Sequence, residues 1–284
     1  NGVWFTTVIN SGFVVMCDLE TNEIIASVEV GDSPALMAHN PITKKLYVSR
    51  MMPMAMMGMG SESNVIQILD YSSNQLNISG QYDIASPSPH GIAISSNGNY
   101  IFTVSTTTDW LYKINTTNDE ITSTLLNSAG NSQSDEINYL KPIHIKTLNN
   151  YIVVSCSAGK WYNSATGENI DIPGSIKLLN IEDLSTVAEY EFDWFSSPWH
   201  IETDNNTNEI FVSLGGDSNN ENSAGVVCLE VLGDTLSLKW KKHEYIYQTL
   251  HGIVLSENSD VIYVSGRGDG HLHMLNRITG NLIN

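Results

Sequence analysis

Four histidines recur along this 284-residue chain, at positions 90, 144, 200 and 251. Each follows a short loop and opens an apolar stretch. The segments read Pro89-His90-Gly91-Ile92, Pro142-Ile143-His144-Ile145, Pro198-Trp199-His200-Ile201 and Leu250-His251-Gly252-Ile253. Neutral imidazole is a favoured ligand for copper, zinc, iron and nickel, and several convergent ring nitrogens suit copper well. Equivalent positions in successive repeats would set His90, His144, His200 and His251 in a ring around a shared ligand, with copper as the first candidate. The competing reading is that each imidazole hydrogen-bonds the neighbouring repeat and holds nothing.

A second tract points to the same metal. Met51, Met52, Met54, Met56, Met57 and Met59 fall within one short loop and make up most of the 9 methionines. Thioether sulfur is a soft donor matched to Cu(I). Methionine also fills irregular apolar surfaces, so the loop reads equally as a lid or a contact for a partner. The two tracts reinforce each other only if the loop leaves the same end of the fold as the histidines.

Other groups are weaker. His271 and His273 lie two apart on a strand and so face one side, where they could bind a metal, with a wet surface as the expected setting. Arg267-Gly268-Asp269 spells a cell-adhesion tripeptide, but its flanking Gly266 and Gly270 make it read as a tight turn. The oxygen-rich run from Gly215 to Asn222 has no EF-hand spacing and reads as a hydrated insert, with calcium binding as the alternative. Nucleophile-elbow, HExxH and phosphate-loop patterns are missing from the sequence, so common hydrolase and nucleotide chemistries lack support.

The bulk composition narrows the partners. Lys plus Arg number 13 against 31 Asp plus Glu, a formal charge of −18. That field repels nucleic acid and anionic membranes and favours cations. No apolar run is long enough to span a bilayer, so membrane insertion is not expected. Cys17, Cys156 and Cys228 are flanked by strand-like residues and read as buried free thiols, with one disulfide plus a spare thiol as the alternative. The chain opens on Asn1 without a basic, apolar leader, which is read as a removed targeting segment or a fragment. Asn, Ser and Thr richness with few lysines suits an exported protein, periplasmic, extracellular or on the cell surface. Sequons at Asn77, Asn115 and Asn205 add little, because Asn-rich loops generate them by accident.

The elements that must position these groups repeat about every 50 residues. A β-rich run ending in Val-Ser or a near equivalent occurs at 45–49, 100–105, 151–155, 210–213 and 261–265, with a looser copy at 3–7. A histidine-bearing strand precedes four of these copies. A third strand follows each, at 13–18, 65–70, 111–115, 175–180, 226–231 and 271–276, and a polar turn leads to a fourth. Asn, Asp and Gly supply the tight turns that β-branched residues avoid. Sustained, capped helical periodicity is absent.

Four antiparallel strands per unit, in series, predict an all-β β-propeller, since one such sheet cannot bury its faces alone. Six four-stranded blades are expected, at about 1–33, 34–88, 89–141, 142–197, 198–249 and 250–284, with seven as the alternative. The first blade lacks its inner strand, and the last has three strands and the start of a fourth.

The stretch Pro89-His90-Gly91-Ile92-Ala93-Ile94-Ser95-Ser96-Asn97-Gly98-Asn99-Tyr100-Ile101-Phe102-Thr103-Val104-Ser105 resembles the YVTN-type β-propeller repeat. In that family a Pro-x-Gly strand leads through a Gly-containing turn to a Tyr-Val-rich strand. The resemblance covers nearly the whole chain, apart from inserts in the fourth and fifth repeats. It implies architecture rather than activity, because function on such folds comes from a grafted site. The Pro-His-Gly-Ile and Leu-His-Gly-Ile strands also look like the histidine-bearing strands of copper propellers such as nitrous-oxide reductase, and of selenium-binding-type methanethiol oxidases. There is no paired His-His here, and Ala35 stands where blade 2 would carry its histidine.

Three functional readings follow. The first is an exported binding propeller whose mouth takes a protein partner or a small ligand, with copper foremost. The second is a copper-dependent oxidoreductase built on the same ring. The third is a surface or assembly module without chemistry.

Overall fold

Val, Ile, Tyr, Phe and Thr dominate the repeated runs, and these side chains fit a pleated surface better than a helix. In a computed structural model of the chain every such run is a strand. The structure describes residues 2–51, 64–127, 140–163, 167–217, 220, 223–256 and 260–283, with backbone alone for 159–163 and 168–171. Blade 1 holds β1 (Val3–Val8), β2 (Phe13–Asp18) and β3 (Ile24–Glu29). Blade 2 holds β4 (Pro34–Asn40), β5 (Lys45–Arg50), β6 (Val65–Asp70) and β7 (Asn77–Asp83). Blade 3 holds β8 (Pro89–Ile94), β9 (Tyr100–Ser105), β10 (Trp110–Asn115) and β11 (Ile121–Leu125).

Blade 4 begins with β12 (Pro142–Leu148) and β13 (Tyr151–Cys156). A separate hairpin of β14 (Gly159–Asn163) and β15 (Glu168–Ile172) then precedes β16 (Ser175–Asn180) and β17 (Thr186–Glu191). Blade 5 holds β18 (Pro198–Asp204), β19 (Glu209–Leu214), β20 (Gly225–Leu232) and β21 (Thr235–Lys242). Blade 6 holds β22 (Leu250–Leu255), β23 (Val261–Gly266) and β24 (Leu272–Asn276), with a single Leu275–Leu282 bridge where a fourth strand would start. Strands pair antiparallel in chain order within each blade, which makes this a six-bladed all-β propeller. Two blades are three-stranded and four are four-stranded. Among the described residues no helix is long and apolar enough to cross a membrane.

The chain divides into two compact units, Asn1–Ser123 and Thr124–Asn284, and each is described by itself. In the first unit, Val14 and Met16 of blade 1 pack on Leu46, Val48 and Leu69 of blade 2. Tyr47, Ile66 and Ile68 of blade 2 pack on Ile92, Ile101 and Ile114 of blade 3. In the second unit, Leu148, Val153 and Ile176 of blade 4 meet Ile201, Ile210 and Val212 of blade 5. Phe211, Val226 and Cys228 of blade 5 meet Ile253, Ile262, Val264 and Leu275 of blade 6. Every one of these cores is shared by two consecutive blades. Fully burying a Leu, Ile, Val or Phe is worth about 1.5–3 kcal/mol, so a lone sheet forfeits most of its stability.

Two polar devices recur. In five of the six blades the last residue of the third strand is Asp or Asn and accepts backbone N–H bonds from the turn that follows, an Asx turn; blade 5, whose third strand ends at Leu232, departs from this. Asp18 accepts from Glu20 and Thr21, Asp70 from Ser72, and Asn115 from Thr117. Asn180 accepts from Glu182, and Asn276 from Ile278 and Thr279. The sequon residue Asn115 is thus a turn-former, and Asn205 accepts the Asn149 N–H of the neighbouring blade at 2.8 Å.

The second device sits just before each first strand. Ser33, Ser88, Lys141, Ser197 and Thr249 all have positive φ, between 47° and 53°. Their carbonyls accept the N–H groups of Met51, Thr106, Ser157, Gly215 and Arg267, the residues leaving the second strands. A left-handed residue here swings the chain into the first strand while extending the ladder by one bond.

The three cysteines are free and buried. Burial first, then the Glu209 carboxylate, pushes the Cys228 thiol up to about 12. It is held as an inert thiol at neutral pH.

Candidate functional site

The strand register corrects the expectation that the four histidines occupy one repeated position. Pro89, Pro142, Pro198 and Leu250 pair with Ser105, Cys156, Leu214 and Gly266, the last residues of the second strands. Three residues on, Ile92, Ile145, Ile201 and Ile253 pair with Thr103, Val154, Val212 and Val264, only two residues back. A bulge therefore opens every one of these strands. Counting through it, His90 and His251 stand beside Ile143 and Trp199 in the repeat. His144 and His200 stand one place further, where Gly91 and Gly252 lie. Ala35 and Leu36 fill the two places in blade 2, whose Pro34 pairs with Arg50.

Blades 4, 5 and 6 nevertheless bring three of the rings together. His144 and His200 stack with centroids 4.5 Å apart and planes 26° apart. His200 meets His251 edge to face at 4.6 Å. Trp199 adds a fourth ring, 5.0 Å from His251. The ladder exists because His144 and His200 share one bulge position on adjacent blades, while His251 and Trp199 share the other. His144 is buried and the other three rings are half-buried. The Trp199 Nε1–H is buried and has no hydrogen-bond partner among the described residues. His90 belongs to the first unit, where its carbonyl accepts the Ser49 hydroxyl at 2.6 Å.

One hydrogen bond decides what His144 can do. The backbone N–H of Ile201 donates to His144 Nδ1 at 3.2 Å, from blade 5 to blade 4. A backbone N–H can only donate, so Nδ1 is the acceptor and a neutral ring carries its proton on Nε2. A metal-binding histidine is usually arranged the other way, with one nitrogen on the metal and the other donating to a carbonyl or carboxylate. The ring acts as a buttress between blades. Among the described residues no group of three or more His, Cys, Asp or Glu is placed to hold a metal ion.

The hydroxyl residue next to the end of four second strands has a job that sequence reasoning missed; blade 3 carries Val104 at that place. The Ser49 hydroxyl accepts the Leu36 N–H at 3.1 Å and donates to the His90 carbonyl of the next blade at 2.6 Å. Ser213 accepts the His200 N–H at 3.1 Å and donates to the His251 carbonyl at 2.5 Å. Ser155 donates to the Trp199 carbonyl at 2.6 Å, and Thr7 of blade 1 to the Ala35 carbonyl at 2.9 Å. The acceptor is always the first residue after the strand opens. Thr7 thereby identifies β1 as the second strand of its blade. The recurring Val-Ser dipeptide was the available signal.

The methionine tract is only partly placed. The Met51 N–H bonds the Ser33 carbonyl at 3.0 Å, so the loop leaves blade 2 at the end where β4 begins. In the first unit that is also the end at which His90 opens β8. Met52, Met54, Met56, Met57 and Met59 lie outside the described residues.

His271 and His273 do not share a wet surface. His271 is exposed, whereas His273 is buried and its Nε2 lies 3.0 Å from Asp269 Oδ2. Asp269 also accepts the backbone N–H groups of His271 and Gln248 at 2.8 and 3.1 Å. Burial pushes its carboxyl up, but those N–H groups and the His273 ring outweigh burial and hold it below its ordinary value. The carboxylate of the Arg267-Gly268-Asp269 tripeptide is thus consumed inside its own turn and is not presented for adhesion.

Exposed aromatics mark a different surface. The large aromatic side chains exposed among the described residues are Trp4, Trp194, Phe195 and Tyr245. Three of the four sit on two equivalent loops of the second unit, which lead from β17 to β18 and from β21 to β22. Trp194 is 53% exposed and Tyr245 is 90% exposed. Phe195 holds φ at +66°, a conformation that a bulky side chain rarely adopts.

No family model and no curated protein matches this sequence. Solved structures share its fold. The hydrazine synthase of Kuenenia stuttgartiensis superposes with a TM-score of 0.75 at 17% identity, over 97% of this chain and 73% of that one. The β-propeller domain of Cps50 (Swd1) from Myceliophteria thermophila gives 0.71 at 11% identity, over 99% and 82%. A chain of the mitotic checkpoint complex gives 0.67 at 12% identity, over 93% and 70%. At these identities the likeness is one of fold.

Proposed function

We propose that this chain is a binding module, a propeller of YVTN type that docks a protein partner at the first-strand end of blades 4 to 6. The observation that carries this reading is the confinement of Trp194, Phe195 and Tyr245 to the two loops feeding β18 and β22. Trp and Tyr are the residues most enriched among interface hot spots, and water-exposed rings on adjacent loops are costly unless something covers them. The half-buried Trp199–His251–His200 ladder is in the same unit, at the start of the same two strands. Neighbours of the same fold include a chain of a multiprotein complex, which agrees with an assembly role. The ladder works as a scaffold for this surface, because His144 spends its Nδ1 on the next blade.

A photo-crosslinking amino acid at Tyr245 tests the reading in extracts of the source cells, with Ile78 on β7, also exposed, as the control position. A discrete adduct is expected at 245, absent at 78, and lost when Trp194→Ala is added. Equal labelling at both positions, or an adduct indifferent to Trp194, refutes it.

A further inference from the structure

In five of the six blades the second strand has a first strand on one side and a third on the other. In blade 1 the second strand, β1, pairs only with β2 and ends the sheet. We propose that this open edge of β1 docks an extended, Lys- or Arg-flanked segment of a partner protein, which adds antiparallel as the first strand of blade 1. The site belongs to the first unit and does not depend on the aromatic loops of the second.

The register fixes which groups face the edge. The Leu19 N–H bonds the Gly2 carbonyl at 3.0 Å, and bonding alternates along an antiparallel pair, so Trp4 and Thr6 spend their backbone groups on β2. The N–H and C=O groups of Val3, Phe5 and Thr7 point the other way. Among the described residues the one bond to them is a long contact, 3.4 Å, from the Thr6 hydroxyl to the Thr7 carbonyl. The matching residues of blade 2, Lys45 and Tyr47, lie opposite Asn40 and Ala38 of β4.

Thr7 carries a second sign of the strand that belongs there. Ser49, Ser213 and Ser265 each accept an N–H from the first strand of their own blade, donated by Leu36, His200 and Gly252 at 3.1, 3.1 and 2.9 Å. The Thr7 hydroxyl makes the outward bond to the Ala35 carbonyl and, among the described residues, takes no N–H in return. Its acceptor side suits the bulge residue of an incoming strand.

The edge is also unprotected. Sheet edges are ordinarily blunted by charge, proline or a bulge. The outer edge strands β7, β17 and β21 carry charged residues and a bulge in their pairing. β1 reads Val-Trp-Phe-Thr-Thr-Val, without a charge, a proline or a bulge, and none of its residues is buried.

The occupant follows by elimination and by charge. The segments of first-strand type, β4, β8, β12, β18 and β22, are all paired in their own blades, so a second copy would have to dismantle a blade to donate one. Residues 52–63 and 128–139 hold a single β-branched residue between them, Ile137, and make poor strands. Antiparallel addition ends the new strand beside Val3 and the turn that carries exposed Glu20 and Glu23. Basic residues after the strand are drawn there, and at longer range by the net charge of −18.

The test is fluorescence anisotropy of the intact protein with a labelled peptide that copies residues 87–95, Pro-Ser-Pro-His-Gly-Ile-Ala-Ile-Ser, followed by two lysines. In β8 the Ser95 N–H bonds the Tyr100 carbonyl, so the Ala93 N–H also faces β9 and the Ile94 N–H faces away from it. Placed on β1, the peptide sets Ala93 against Phe5. N-methylation at Ala93 should weaken binding about tenfold or more, while N-methylation at Ile94 should change it less than about twofold. Two glutamates in place of the lysines should weaken it about threefold. Val3→Pro removes an edge N–H and should weaken it about fivefold. Thr7→Val should do the same and Thr7→Ser should restore it, with urea denaturation confirming that each variant folds. Trp194→Ala should leave the peptide unaffected, so the edge and the aromatic surface succeed or fail separately. No binding, equal effects of the two methyl groups, indifference to the flanking charge, or wild-type binding by Val3→Pro overturns the proposal. A dimer that the peptide disperses, seen by sedimentation, would make a second copy the occupant and overturns it as well.

Discussion

The Ser213 hydroxyl donates to the carbonyl of His251 at 2.5 Å, from the second strand of blade 5 to the first strand of blade 6. The same oxygen accepts the His200 N–H at 3.1 Å, so one side chain closes a bulge and ties two blades. His200 O is also near, at 3.2 Å, but a hydroxyl has one proton and the shorter contact takes it.

Ser213→Ala leaves a backbone N–H and a carbonyl without this partner at a position fully shut off from water. The expected cost is about 1–3 kcal/mol, the penalty for a buried polar group left unsatisfied. Urea denaturation should show a lower midpoint at unchanged slope. A variant as stable as the wild type would mean that water replaces the hydroxyl.

His144 gives a prediction about metal. Asparagine places an acceptor oxygen near the position of Nδ1, so His144→Asn should keep the Ile201 bond and stay within about 1 kcal/mol of wild type. His144→Ala should lose about 1–3 kcal/mol. If the ring is a buttress, a Cu(II) titration followed by competition with a chelator gives the same curve for wild type and His144→Asn. Loss of a copper equivalent in His144→Asn would restore the ring to the role its spacing first suggested.

The contrast between what the sequence showed and what it hid has a physical basis. Strands such as Tyr100–Ser105 and Val65–Asp70 were legible because β-branched and aromatic residues recur in them and Asn, Asp or Gly closes each turn. The division of the histidines into two places was not legible. A bulge adds one residue without leaving a compositional mark, so Pro-His and Pro-Ile-His look like loose copies of one motif. The β14–β15 hairpin was hidden in a polar insert without clear alternation. The Asp193-Trp194-Phe195-Ser196 segment did carry a signal, since two adjacent aromatics between turn-forming residues have no strand to be buried in. The Asp269–His273 pair was obscured because strand alternation places His271 and His273 on one face but says nothing of the turn folded beneath it.

Thr249 offers a stabilising substitution. It is exposed, β-branched and left-handed at φ +52°, and its useful atom is a backbone oxygen. A left-handed L-residue costs roughly 1–2 kcal/mol, while glycine gives back about 0.5–1 kcal/mol as unfolded-state entropy. Thr249→Gly should therefore stabilise the fold by about 0.5–1 kcal/mol. Differential scanning calorimetry should show a higher Tm, and an unchanged or lower Tm would show that the Thr249 side chain contributes contacts.

Acid stability should depend on Arg277. Its guanidinium bonds Glu209 at 2.7 Å and also holds Asp204, joining blade 6 to blade 5, while Lys239 reaches the other Glu209 oxygen at 2.6 Å. Burial pushes both carboxyls up. For Glu209, hydrogen bonds from Lys239, Arg277 and Thr207 outweigh it. For Asp204, the Asn206 N–H and Arg277 do so, and both groups end below their ordinary values. Carboxyls depressed in the folded state contribute stability that is fully present above the unfolded values near about 4, and that is lost as pH falls through the lower folded ones. Arg277→Met strips one of two cationic partners from a Glu209 side chain only 6% exposed, with Lys239 still in place, and should cost about 1–3 kcal/mol at pH 7. That difference should shrink as pH is lowered from 5 to 3, because protonated carboxyls no longer need the guanidinium. Urea titrations of both proteins across this range should converge. Parallel curves would place the acid-sensitive stability elsewhere, with the depressed Asp193 and Asp269 as the next groups to test.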